Sequence, residues 1–154
     1  MPPMTRSHCA MALKVLAASM FLAVVPVRAA LAAEDSPLGA ERWKTRPVVV
    51  VVPATGHALI RRIEAALAEP AAREAFIERD MVLYTIEAGE GRRNGTPIDG
   101  PRTRAMLAAL DLDANGPPTF VLVGKDGGVK LQEGADVDLQ AVFAEIDRMP
   151  MRRK

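Results

Sequence analysis

The chain of 154 residues contains a single cysteine, Cys9, close to its start. A domain built from the remaining residues has no disulfide, no thiolate nucleophile and no sulfur ligand for zinc. Histidine is nearly as scarce, with His8 and His57 the only two, so a histidine-based metal site lacks partners. An excess of positive charge is also missing. The 20 basic residues face 19 acidic ones, for a formal net charge of +1. Nucleic-acid binding of the general kind normally shows a clear basic excess, and it is not expected here. No apolar run is long enough to cross a bilayer, which takes about 20 residues. The most hydrophobic stretch, residues 15–25, stops short of that.

That stretch has another reading. Arg6 and Lys14 precede it as a positive region, and Ala30-Leu31-Ala32 follows as a small-residue cleavage pattern before Glu34 and Asp35. Residues 1–33 therefore read as a removable signal peptide, cleaved near Ala32 or Ala33, and residues 34–154 as one exported domain. An uncleaved N-terminal anchor is the alternative. Cleavage would remove Arg6, Lys14 and Arg28 with no acidic residue, leaving a net charge near −2 and His57 as the sole histidine. About 120 residues suffice for one domain with its own core.

Along that domain, Ser36-Pro37 marks a short first helix ending near Trp43-Lys44. The run Val48-Val49-Val50-Val51-Val52 has no polar alternation and predicts a strand buried on both faces. Leu59, Ile60, Ile63, Ala66 and Leu67 then recur at helical spacing, with Thr55 as the expected N-cap. Pro70 restarts a helix through Phe76 and Ile77, and residues 81–86 read as a second buried strand. Residues 87–101 hold four glycines and two prolines and read as a long functional or mobile loop. Met106, Leu107 and Leu110 mark a short helix. A hairpin follows, with strands 119–124 and 128–132 joined at Asp126-Gly127. Leu139, Val142, Phe143 and Ile146 predict a last helix starting at Asp136 or Asp138.

The resulting order is β-α-β-α-β-β-α, an α/β three-layer sandwich with a central mixed sheet, the first strand in the middle and the hairpin beside it. Gly116-Pro117-Pro118-Thr119-Phe120 leading into the Asp-Gly hairpin is how thioredoxin-like domains enter their last two strands. Four segments carry a narrower resemblance: Arg42-Trp43-Lys44, Glu78-Arg79-Asp80, Gly124-Lys125-Asp126-Gly127-Gly128-Val129-Lys130-Leu131, and Ile146-Asp147-Arg148-Met149-Pro150-Met151-Arg152-Arg153. On these the chain resembles domain-of-unknown-function family 4174, a bacterial, largely exported, thioredoxin-like group. That group is similar to a domain of animal extracellular proteins with sushi repeats. The resemblance implies no established activity, and the isomer of the peptide before Pro118 is left open.

Thiol chemistry needs a cysteine at the start of the first long helix, where the dipole stabilises thiolate. Thr55-Gly56-His57 stands there instead, so disulfide exchange and peroxiredoxin chemistry are excluded for the cleaved chain. His57 reads either as a general base or ligand contact, or as a partly exposed first-turn residue. Asp111-Leu112-Asp113-Ala114-Asn115-Gly116 starts like a calcium loop, but Leu122 occupies the position of the bidentate Glu and two prolines interrupt it. The glycine-rich run 124–128 lacks the Gly-Lys-Ser/Thr ending of a phosphate loop and reads as a turn. No metal and no cofactor is expected. Arg92, Arg93, Arg102 and Arg104 flank the long loop and form the best candidate anion-binding surface apart from Thr55, His57 and Pro118. Met149-Pro150-Met151 followed by Arg152, Arg153 and Lys154 is expected to dock its methionines and leave a solvated basic tip.

The function expected is an exported binding or structural module of the cell envelope without redox cysteines. Its site would be the crevice at the C-terminal ends of the parallel strands. The alternatives are an enzyme using His57 for acid–base chemistry, or an envelope protein whose region 92–104 holds an anionic ligand or partner.

Overall fold

The computed structural model describes residues 36–149. The expected signal peptide and the motif residues Pro150, Met151 and Arg152 lie outside the described residues. The elements run α1 (Pro37–Glu41), β1 (Arg46–Val52), α2 (Ala58–Ala68), α3 (Pro70–Glu78), β2 (Met81–Glu87), β3 (Glu90–Arg93), β4 (Thr96–Pro97), α4 (Gly100–Ala109), β5 (Thr119–Val123), β6 (Val129–Glu133) and α5 (Leu139–Arg148). Among the described residues no helix is long and apolar enough to cross a membrane.

The valine run does what its lack of alternation demands. Every residue of β1 is buried, so the strand sits at the centre of a six-stranded mixed sheet ordered β4-β3-β2-β1-β5-β6. β1 pairs parallel with β2, from Arg46 opposite Met81 to Val52 opposite Glu87. On its other side it pairs antiparallel with β5, from Val48 opposite Leu122 to Val51 opposite Thr119. Pro47 falls at the strand's beginning, before pairing with β5 starts, where a missing N–H breaks no ladder bond to that neighbour.

Strand alternation divides the core in two. Val48, Val50 and Val52 face α2, α3 and α5, meeting Leu59, Ile63, Phe76, Phe143 and Ile146. Val49 and Val51 face the other way, toward Tyr84, Ile86, Met106 and Leu107. Each fully buried valine contributes about 1.5–3 kcal/mol relative to exposure, so this one strand anchors both layers. The amphipathic helices α2 and α5 present their expected apolar stripes, and α5 starts after Asp138, whose Oδ1 accepts from the Gln140 N–H at 2.9 Å.

Two expectations are corrected. Residues 87–101 are not a structureless loop: they form β3, β4 and the start of α4. Two tight turns make this possible. Ala88 and Gly89 both have positive φ between β2 and β3, as do Asn94 and Gly95 between β3 and β4. Left-handed backbone at both central residues is what two-residue hairpins require, and Asn-Gly is their strongest sequence signal. The sheet therefore extends two strands beyond β2. Next, the cap of α2 is His57 rather than Thr55. Thr55 precedes a turn at Gly56, φ +66, which puts the helix start two residues later. The peptide before Pro118, left open by the sequence, is trans, and no peptide bond among the described residues is cis.

Gly91 explains how the added hairpin packs. A Cβ there would lie 2.4 Å from Thr103 Oγ1 and 2.8 Å from Ile98 Cγ1. Only glycine lets β3 approach α4 this closely.

Candidate functional site

Thr55, His57 and Pro118 come to one end of the sheet, where β1 and β2 finish and β5 begins. Gly56 N–H donates to Glu87 Oε2 at 2.7 Å, tying the turn after β1 to the end of β2. The Leu59 N–H donates to His57 Nδ1 at 3.1 Å. An Nδ1 that accepts a hydrogen bond carries no proton, so the neutral ring holds its N–H on Nε2. In this state neither nitrogen offers a free lone pair to a substrate. His57 serves the helix.

A second polar assembly lies on the α1–α4 side of the sheet. Glu41 closes α1 and is only 6% exposed. Its Oε1 accepts from Tyr84 OH and from Arg93 Nε, both at 2.8 Å, and its Oε2 accepts from Thr45 Oγ1 at 2.6 Å. Tyr84 and Arg93 are cross-strand partners of β2 and β3, which places phenol and guanidinium side by side with the guanidinium carbon 6.0 Å from the ring centroid. Burial alone would raise the Glu41 pKa. The hydrogen bonds from Arg93, Thr45 and Tyr84, with the Arg93 charge, outweigh it and hold the carboxyl below its usual value. Burial pushes the Tyr84 phenol up to about 12, helped by the hydrogen bond and charge of Glu41. Glu41 in turn raises the pKa of Arg93, through its hydrogen bond first.

This assembly opens into a cavity of about 430 Å³ that includes Ser36, Glu41, Tyr84, Arg93, Ile98 and Arg102. Arg93 commits Nε to Glu41, which orients the guanidinium at the cavity wall. Arg102 carries Asp99 at 3.6 Å and is two-thirds exposed. The four arginines expected to act together are thus separated. Arg93 and Arg102 share this cavity, Arg92 lines a neighbouring one of about 280 Å³, and Arg104 lies beside Gly100. Glu41 and Tyr84 were not singled out from sequence. The available signal was the lone tyrosine within an apolar strand, because a buried phenol needs a hydrogen-bond partner.

The remaining motif residues gather at the opposite end of the sheet, where β1 and β2 start and β5 finishes. Asp80 pairs with Lys125 at 2.7 Å and Arg46 at 3.8 Å; the Trp43 N–H donates to the Lys125 carbonyl at 2.7 Å. Arg79 donates to Asp147 at 2.5 Å, with its guanidinium 5.0 Å from the centroid of Phe143. Asp126 accepts from Lys130 at 2.6 Å, which holds its carboxyl below the usual range. In the turn between them, Gly127 has φ +84, and Gly124 N–H donates to the Gly128 carbonyl at 2.8 Å. At residues 111–116, Asp113 Oδ1 accepts from the Asn115 N–H at 2.9 Å, closing a turn at the end of α4. Among the described residues no three His, Cys, Asp or Glu side chains are placed to hold a metal ion.

The family model described as domain of unknown function DUF4174 matches residues 37–154. The chain belongs to the DUF4174 family. The DUF4174 match runs through every described element, so the Glu41 assembly, the His57 cap and the ion-paired end all lie within it. No curated protein and no solved structure matches the chain.

Proposed function

We propose that this DUF4174 chain is an exported, thioredoxin-like module of the cell envelope that binds an anionic ligand without thiol chemistry. The thioredoxin-like reading is supported by a central β1 parallel to β2, by the antiparallel hairpin β5–β6 on its other side, and by helices on both faces. Export is supported by the pattern of Arg6, Lys14, residues 15–25 and Ala30-Leu31-Ala32. The place a thioredoxin gives to its nucleophile holds Thr55-Gly56-His57, with His57 engaged in capping.

One observation carries the anion-binding assignment. Arg93 is fixed by a buried, fully hydrogen-bonded Glu41 at the wall of an open cavity that it shares with Arg102. A carboxylate or phosphate between the two would receive donors from Arg93, whose position is already set, and from the exposed Arg102. Glu41 acts as the positioning residue for Arg93.

Isothermal titration of the purified protein with inorganic phosphate and with a small dicarboxylate tests this reading. Saturable binding is expected, weakening with salt and lost in Arg102→Gln, whose fold should be untouched because its side chain is exposed. Binding that is indifferent to ionic strength, or retained in Arg102→Gln, overturns the site. Turnover of insulin disulfide or peroxide by the protein overturns the non-thiol reading.

A further inference from the structure

The end of the sheet remote from His57 carries an interaction surface that does not depend on the anion cavity. Trp43 is the sole tryptophan of the chain, is 64% exposed, and has φ +64. Left-handed backbone is a genuine outlier for so bulky a residue, and here burial of the ring does not compensate for it. The surroundings impose it instead. The Trp43 N–H donates to the Lys125 carbonyl at 2.7 Å, and Arg42 Nε donates to the Asp126 carbonyl at 2.8 Å. The Arg42 guanidinium carbon lies 5.8 Å from the indole centroid. The hairpin therefore locks a turn that presents the ring to solvent. Strain maintained without a packing gain is typical of recognition sites.

Beside the ring is a cavity of about 430 Å³ with a mostly apolar lining, walled by Trp43, Met149, Arg46, Lys125, Asp126 and Lys130. That volume falls within the roughly 300–1,000 Å³ of small-ligand pockets. Its charge is one-sided. Arg46, Lys125 and Lys130 line it and Arg42 lies over the indole beside it, against the two carboxylates Asp80 and Asp126.

We propose that this face docks an acidic segment of a partner protein, with one apolar side chain of that segment seated between Trp43 and Met149. The net positive charge selects an acidic chain, and tryptophan with arginine beside it is the usual chemistry of an interface anchor. A concave apolar site calls for a side chain to fill it. A lipid surface takes up protruding apolar faces, and a single exposed indole is a small one.

Because Trp43 is the only tryptophan, its emission reports directly on the site. The full chain is titrated with a synthetic peptide rich in Asp and Glu around one Leu. A saturable blue shift is expected, with affinity falling about tenfold from low to high salt. The variant Lys130→Glu should weaken binding of the same peptide. Trp43→Gly removes the ring and places the residue most tolerant of positive φ at that backbone. It should keep or raise Tm while abolishing binding, read by anisotropy of a labelled peptide. Peptide binding that survives Trp43→Gly overturns the proposal, as does the absence of any shift. A shift caused only by phosphatidylglycerol vesicles assigns the face to lipid instead. A red shift on deleting residues 150–154 assigns the cavity to the chain's own tail, and a shift that depends on protein concentration without peptide assigns it to a second copy. Each of these three also overturns it.

Discussion

Glu41 receives its three hydrogen bonds from Thr45, Tyr84 and Arg93, which stand in the segment after α1, in β2 and in β3. A buried carboxylate with every donor in place is stable; one with a donor removed leaves acceptor capacity unsatisfied. Tyr84→Phe deletes one bond with little change of shape and is expected to cost about 0.5–1.5 kcal/mol at neutral pH. The same change should alter the alkaline limb. Folded Tyr84 keeps its proton up to about 12, whereas an unfolded chain releases it near 10.0. The native state then binds the extra proton between those values, so stability is complete below 10.0 and is lost as pH rises toward 12. Urea midpoints measured across that window should fall more steeply for the natural protein than for Tyr84→Phe. Parallel slopes would show that the phenol is not linked to folding.

At the level of elements, the β3–β4 hairpin separates what was legible in the sequence from what was not. The pentavaline run, the stripe of α2 and the residues Leu139, Val142, Phe143 and Ile146 in α5 were readable because burial imposes a period, or its absence, on the chain. The hairpin escaped because β3 and β4 are short strands at the sheet's margin, exposed except at Gly91, and Glu90-Gly91-Arg92-Arg93 carries no apolar alternation. Asn94-Gly95 was the signal present, obscured by the surrounding glycines. Glu41 escaped for a related reason: its burial depends on partners 43 and 52 residues away. Gly91 makes the element testable. Gly91→Ala pushes a Cβ into Thr103 and Ile98 and is expected to cost about 1–3 kcal/mol. Hydrogen exchange should show lost protection in β3 and β4 ahead of β1, since these short, marginal strands are mostly exposed. Uniform loss across the sheet would mean that the hairpin and the core open together.

Over the whole molecule, polar chemistry is sorted to three places: the His57 end of the sheet, the ion-paired end around Asp80, and the Glu41 assembly on one face. The last buries a carboxylate and joins α1, β2 and β3. Its carboxyl is held below its usual value, so the stabilisation it provides is present above the ordinary value of 4.5 and is lost as pH falls through the folded one. Glu41→Gln should therefore lower Tm at neutral pH and flatten its decline on the acid side. Superimposable acid profiles for the two proteins would rule out this linkage.

The valine run of β1 also has a meaning before the chain folds. Five consecutive β-branched residues without charge are the composition from which cross-β aggregates are built, and this stretch is fully hidden only once both helical layers are in place. Pro47 and Pro53 bracket it directly, with Arg46 one residue further out. Proline cannot donate to an intermolecular ladder, so the bracketing pair limits how far mispairing can spread while the strand is unprotected. The segment that organises the native sheet is thereby delivered to it with its own gatekeepers.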